Sequence, residues 1–373
     1  MPTGRRWGVA LVALGALVLG ARPAAADPPR PTDYRSTVTA VDPAAGGVEA
    51  EVVGGDAFLE LRVDEGHEVL VEGYGEEPYL RFLADGTVER NRRSEATYLN
   101  DDRQGAVELP PEADNAADPD WERVAGGGTY AWHDHRIHWM GTSRPPGVEP
   151  GEVVQEWAVA LTVDGTPTEV RGELVLAEGV SPLPWLALAA AGLALVVVLG
   201  RRRPLVAAAA AAMIAAAGAL VVGWGQYSVA PAGSGVNPLL VVVPLLGLVA
   251  AVAGLVLRGR PAGPTATLAA AAAVLGWGAL RASVLWMPVL PTDLPYALDR
   301  AVTALALGLS AAAAGLVVWR GGLVPGGATP RAATSPADAG SGDAGAGTTP
   351  AGAGSGDAGA ATGEAARADG PPR

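Results

Sequence analysis

The chain has 373 residues, a formal net charge of −13 and no cysteine. The missing thiols exclude disulfides and thiolate metal sites, and the acidity, which is concentrated in residues 27–181, disfavours nucleic acid and anionic lipid as partners of that region. Hydrophobic residues make up 49% of the chain, but they are concentrated in its second half, which separates a polar region from an apolar one.

The N-terminus reads as a signal peptide over residues 1–26. Arg5 and Arg6 supply a basic start, Gly8 to Gly20 an apolar stretch, and Ala24-Ala25-Ala26 a small-residue cleavage site before Asp27. The apolar stretch is short for a bilayer span. The setting of Arg5-Arg6 favours general secretory export over the twin-arginine route.

Residues 27–181 form a polar domain in which 32 Asp and Glu face 12 Arg, a net charge of −20. Its apolar residues alternate with period two, the mark of half-buried strands. Leu59, Leu61 and Val63 share one face, and Asp64-Glu65-Gly66 turns into a strand over Val69–Tyr74. Asp85-Gly86 joins Tyr79–Leu83 to a strand near Val88. Trp157, Val159, Leu161 and Val163 alternate before Asp164-Gly165, which leads to Val170, Leu174 and Leu176. Asp-Gly between apolar runs signals hairpins, and short strands at this spacing predict an all-β antiparallel sandwich of immunoglobulin-like type. Pro110 to Pro119 reads as a loop.

An α-helical membrane domain is predicted over 182–320, with spans near 183–199, 205–223, 239–257, 265–286 and 301–319. Each approaches the ~20 residues a bilayer requires. Arg201-Arg202-Arg203, Arg258 with Arg260, and Arg320 follow the first, third and fifth spans, which places these ends in the cytoplasm. The polar domain is then extracytoplasmic, as the signal also implies. Trp185, Trp224, Trp286 and Trp319 at span ends suit an aromatic belt. Arg281 is the one ionisable exception within the spans; it lies toward the outer end of the fourth, where it can snorkel or pair with Asp293 or Asp299. Gly and Ala favour close helix packing, so the bundle reads as an anchor or docking platform rather than a transporter. Residues 321–373 are Ala, Gly, Pro and Ser-rich with a repeated Ala-Gly-Ser-Gly-Asp-Ala-Gly-Ala, the composition of a disordered cytoplasmic tail.

Three of the four histidines fall in Trp132-His133-Asp134-His135-Arg136-Ile137-His138-Trp139-Met140. Imidazole and thioether together suit copper, and three imidazoles with a water suit zinc. His133, His135, His138 and Met140 are therefore the candidate metal ligands, copper first and zinc second. In a strand, His133 and His135 share a face, and His138 joins them only if the chain bends after Arg136. The alternative is structural: the tryptophans pack, Asp134 pairs with Arg136, the imidazoles bond to backbone, and the domain contacts an envelope or membrane protein partner. His67 lies outside the cluster, and Ser36 and Ser143 have no catalytic context. No enzyme is predicted.

Gly126-Gly127-Gly128-Thr129-Tyr130 enters a late strand and resembles the tyrosine corner of immunoglobulin-like sandwiches. It is also similar to the Gly-Thr-Tyr strand of the periplasmic copper-resistance sandwich family, in which an exported sandwich accompanies a polytopic membrane protein. That family typically binds copper through a histidine at its mature N-terminus. Here the mature chain would begin Asp27-Pro28-Pro29, so that ligand does not carry over. The whole architecture resembles uncharacterised actinobacterial envelope proteins with an exported domain and a multi-span anchor, a likeness that implies location and no activity.

Overall fold

The computed structural model describes residues 28–231 and 237–320. The predicted signal peptide and tail lie outside the described residues. Ten strands form the polar region: β1 Tyr34–Asp42, β2 Val48–Val53, β3 Phe58–Val63, β4 Val69–Glu72, β5 Pro78–Phe82, β6 Val88–Asn91, β7 Trp121–Ala125, β8 Thr129–Trp132, β9 Val153–Val163 and β10 Thr166–Leu176. They build an antiparallel seven-stranded sheet, β1-β10-β9-β4-β5-β6-β7, and a three-stranded sheet, β2-β3-β8. A single turn of helix, α1 (Ala96–Leu99), follows β6.

Period-two patterning produces this sandwich directly. Leu59, Leu61, Val71, Leu80, Val159, Val170 and Leu174 meet in one core between the two sheets. Burying each such side chain contributes roughly 1.5–3 kcal/mol. Asp164 and Gly165 both adopt positive φ, 47° and 79°, the backbone that a two-residue hairpin needs to match strand twist. They join β9 to β10 with Val163 opposite Thr166. Gly172 of β10 lies opposite Trp157, and a Cβ there would sit 2.1 Å from the indole, so glycine makes room for the ring. That indole donates to Ser36 Oγ at 2.9 Å and ties β9 to β1.

The turn at Asp64–Gly66 differs from the hairpin its Asp and Gly suggest. Val63 pairs with Val48 in one sheet, while Val69 pairs with Phe82 and Val163 in the other. The segment thus crosses from the three-stranded to the seven-stranded layer.

Five helices follow: α2 Leu183–Gly200, α3 Pro204–Ser228, α4 Leu239–Val256, α5 Ala262–Leu280 and α6 Tyr296–Arg320. All are long and apolar enough to cross a membrane, which suits a multi-pass membrane protein. Small residues bring them together. A Cβ on Gly308 would lie 2.0 Å from the Ala189 carbonyl oxygen, and one on Gly223 2.1 Å from that of Leu240. The backbones of α6 and α2, and of α3 and α4, thus touch only because these positions lack a side chain.

The fourth helix stops at Leu280, short of Trp286, and a 3-10 turn (Ala282–Leu285) replaces its predicted end. Arg281 caps the helix at this point. It leaves the helix to donate both to Gln226 of α3 and, from Nη2, to Asp299 Oδ1 and Oδ2 at 2.9 and 3.0 Å. Both charged groups are buried. Thr303, one turn along α6, donates to the same carboxylate. Asp293, the other partner considered from sequence, stays exposed. The sandwich meets the bundle at this end, where the amide of Thr32 donates to the Val289 carbonyl at 3.0 Å and that of Val289 returns the bond at 3.1 Å. The arginine-bearing turns at 201–203 and 257–261 lie at the other end of the helices.

Removing one partner of a buried pair leaves an uncompensated charge and costs about 3–5 kcal/mol. Asp299→Ala is therefore expected to destabilise the bundle by that amount in denaturant unfolding of the detergent-solubilised chain, with Asp293→Ala nearly neutral. The double variant Arg281→Leu/Asp299→Leu should recover most of the loss. Equal effects of the two aspartate variants would refute the pairing.

Candidate functional site

Strand β8 is only four residues long, and its pairing with β3 ends at Leu59 opposite Trp132. The histidines therefore lie beyond the strand. This corrects the alternation that would put His133 and His135 on one face. Asp134 is the reason: its carbonyl accepts from the amide of Ile137 at 3.1 Å, and its buried carboxylate collects donors. Trp132 Nε1 reaches Oδ2 at 3.0 Å, Arg136 Nε reaches Oδ1 at 2.8 Å, and Arg136 Nη2 reaches Oδ2 at 2.7 Å. Burial alone would raise the Asp134 carboxyl, but the Arg136 guanidinium together with the hydrogen bonds from Trp132 and the Arg136 amide holds the group below its usual range. The expected Asp134–Arg136 pair thus forms in the base of a turn and not across an open strand.

That turn sends the rings to different supports. His133 stacks on Phe58 with centroids 4.2 Å apart, and its Nδ1 donates to the Ala57 carbonyl at 2.5 Å. His135 lies over Tyr74 at 5.5 Å, its Nε2 donates to the Asp102 carbonyl at 3.0 Å, and its amide donates to Tyr74 Oη at 2.8 Å. His138 is fully buried and its Nε2 donates to the Arg103 carbonyl at 2.7 Å. The rings of His135 and His138 meet edge to face at 5.5 Å. Ile137, between them, belongs to the sandwich core, while Met140 is exposed.

Two consecutive carbonyls, of Asp102 and Arg103, thus hold two of the three imidazoles. The loop carrying them is itself preformed: Asp102 Oδ1 accepts from the amides of Gln104 at 2.9 Å and Ala106 at 3.0 Å. Those bonds lower the Asp102 carboxyl. Gly105 closes the loop at φ +65°, where a Cβ would lie 2.8 Å from His135 Cε1, so a side chain would collide with the ring. Arg103 reaches on to Asp56, fully buried, at 2.5 Å. Burial raises the Asp56 carboxyl despite that guanidinium, and Asp56 also accepts from Thr32 Oγ1 at 3.5 Å. Asp56, Phe58, Tyr74, Asp102 and Arg103 carry no signal in sequence, since each lies at least 30 residues from the cluster it serves.

A metal bound by three imidazoles requires their nitrogens to converge at ~2 Å from one ion. Among the described residues, no group of three or more His, Asp or Glu side chains is placed to hold a metal. His67, on the β9–β10 hairpin side, bonds Asp164 Oδ2 at 2.7 Å and is separate from the cluster. Comparison with protein-family models, with curated proteins and with solved structures finds no match to this chain.

Burial, reinforced by the Arg103 charge, pushes the His138 imidazole down to about 3 from an ordinary 6.5. The unfolded chain therefore takes up this proton first. Stability contributed by the neutral ring is complete above about pH 6.5 and is lost as pH falls toward about 3. His138→Gln, which keeps a donor for the Arg103 carbonyl, should show a shallower fall in melting temperature between about pH 6.5 and 4. Parallel pH profiles for wild type and variant would rule the assignment out.

Proposed function

We propose that this chain is a membrane-anchored, non-enzymatic envelope protein whose exported β-sandwich is an interaction module mounted rigidly on five spans. One observation carries the reading: the histidine cluster is occupied by main-chain carbonyls, two of its rings holding the 100–106 loop and the third the residue before β3. Three imidazoles donate to three main-chain carbonyls, those of Ala57, Asp102 and Arg103, and Arg103 continues through Asp56 to Thr32 and the helical loop at Val289. Such a module transmits position and does not swing on a tether.

The extracytoplasmic location is supported by the signal-like N-terminus and by the arginine turns at the bundle end away from the sandwich. The immunoglobulin-like description is supported by two antiparallel layers with Trp132 and Trp157 buried between them. The net charge of −20 over residues 27–181 favours a cationic partner surface.

A second reading, copper or zinc binding, is favoured by one feature. His138 Nδ1 is buried without a hydrogen-bond partner, and its Nε2–H to a carbonyl is the support that metal-ligating histidines use. The two readings separate in one experiment on the full chain in detergent. Under the first, Cu(I), Cu(II) and Zn(II) leave the melting temperature unchanged, and chelator has no effect, because only a ligand of the native state raises it. Saturable metal binding that disappears in a His135→Ala/His138→Ala variant would overturn the first reading in favour of the second.

A further inference from the structure

At the bundle end away from the sandwich, the α2–α3 and α4–α5 turns enclose an open cleft of about 500 Å³ lined by Arg202, Arg203, Pro204, Leu205, Val206 and Arg258. The three guanidiniums approach the cleft from two turns, and its lining contains no carboxylate. None of the three forms an ion pair among the described residues; Arg258 donates only to the Leu255 carbonyl at 3.0 Å. Charges of one sign brought together without a counterion raise the local potential and draw an anion. Arginine is the side chain best shaped for it, because its planar fork matches two phosphate oxygens at once.

The apolar wall says which anion. Leu205 and Val206, half-buried at the start of α3, continue the cleft into helix surface meant for hydrocarbon. Leu199 and Val256, at the ends of the helices that lead into the two turns, are exposed at 64% and 69%. A soluble anion has no use for that wall. A phospholipid places its phosphate among guanidiniums and its acyl chains along such residues, the pairing expected of basic pockets between spanning helices.

The geometry points to a headgroup site for an anionic phospholipid in this arginine-lined cleft. It rests on the helices spanning a bilayer and is independent of the role assigned to the sandwich. The test is native mass spectrometry of the full chain in detergent, titrated with phosphatidylglycerol or phosphatidylcholine. Phosphatidylglycerol should bind in preference, with affinity falling roughly fivefold for each arginine removed in Arg202→Ala, Arg203→Ala and Arg258→Ala. Arg201→Ala/Arg260→Ala, outside the cleft lining, should retain wild-type affinity. Each substitution is at an exposed position, and the single Arg203→Gln serves as the conservative check on folding. Equal loss in the Arg201/Arg260 control would make the effect one of bulk charge and overturn the site. Displacement of the lipid by millimolar inorganic phosphate would overturn the lipid assignment in favour of a soluble anion.

Discussion

A guanidinium buried among apolar helices must find a counter-charge, and Arg281 organises the junction of the two domains by meeting that requirement. Its Nη2 donates to both oxygens of Asp299, which ties the end of α5 to α6. Its other arm holds Gln226 at the end of α3. Gln226 in turn reaches the carbonyl of Pro29 at 3.5 Å, so the helical charge pair extends into the segment that leads to β1. Replacing such a pair with apolar residues often leaves stability unchanged. Its place here is positional: it sits at the C-cap of α5, where the chain turns back toward the sandwich.

From Pro29 the same polar thread continues through the sandwich base. Thr32 pairs with Val289 through two main-chain bonds and bonds to Asp56. Asp56 holds Arg103, whose carbonyl holds His138. Gly55, at φ +90°, lets Val289 approach, since a Cβ there would lie 2.7 Å from Val289 Cγ1. The links from Asp56 to Arg103 and from the Arg103 carbonyl to His138 are short, at 2.5 and 2.7 Å, whereas those of Gln226 to Pro29 and Thr32 to Asp56 are long, at 3.5 Å. Two orphaned atoms, Asp56 Oδ1 and His138 Nδ1, lie on this path. Buried polar atoms without partners are rare in proteins, so these two mark places where the thread is not fully compensated.

The strands and spans were largely legible from local pattern. Trp157, Val159, Leu161 and Val163 are buried in alternation as expected, and Asp164-Gly165 makes the two-residue turn. The site was legible in composition but not in arrangement. Three nearby histidines drew the eye to one loop, yet their arrangement depends on a turn gathered around the Asp134 carboxylate. The carbonyls they serve come from residues 57, 102 and 103, which sequence proximity does not reveal.

Periodicity and length are local properties. The sequence by itself therefore determined an antiparallel β region followed by five bilayer-length helices, because a strand or span carries its own hydrophobic repeat. The tertiary structure decided what depends on distant partners: that the Asp64–Gly66 turn crosses between sheets, that Arg281 selects Asp299 over Asp293, and that the histidines diverge to separate supports. In each case the deciding free energy is desolvation of a polar group or burial of an apolar face. Only the folded chain shows which partner is close enough to compensate it.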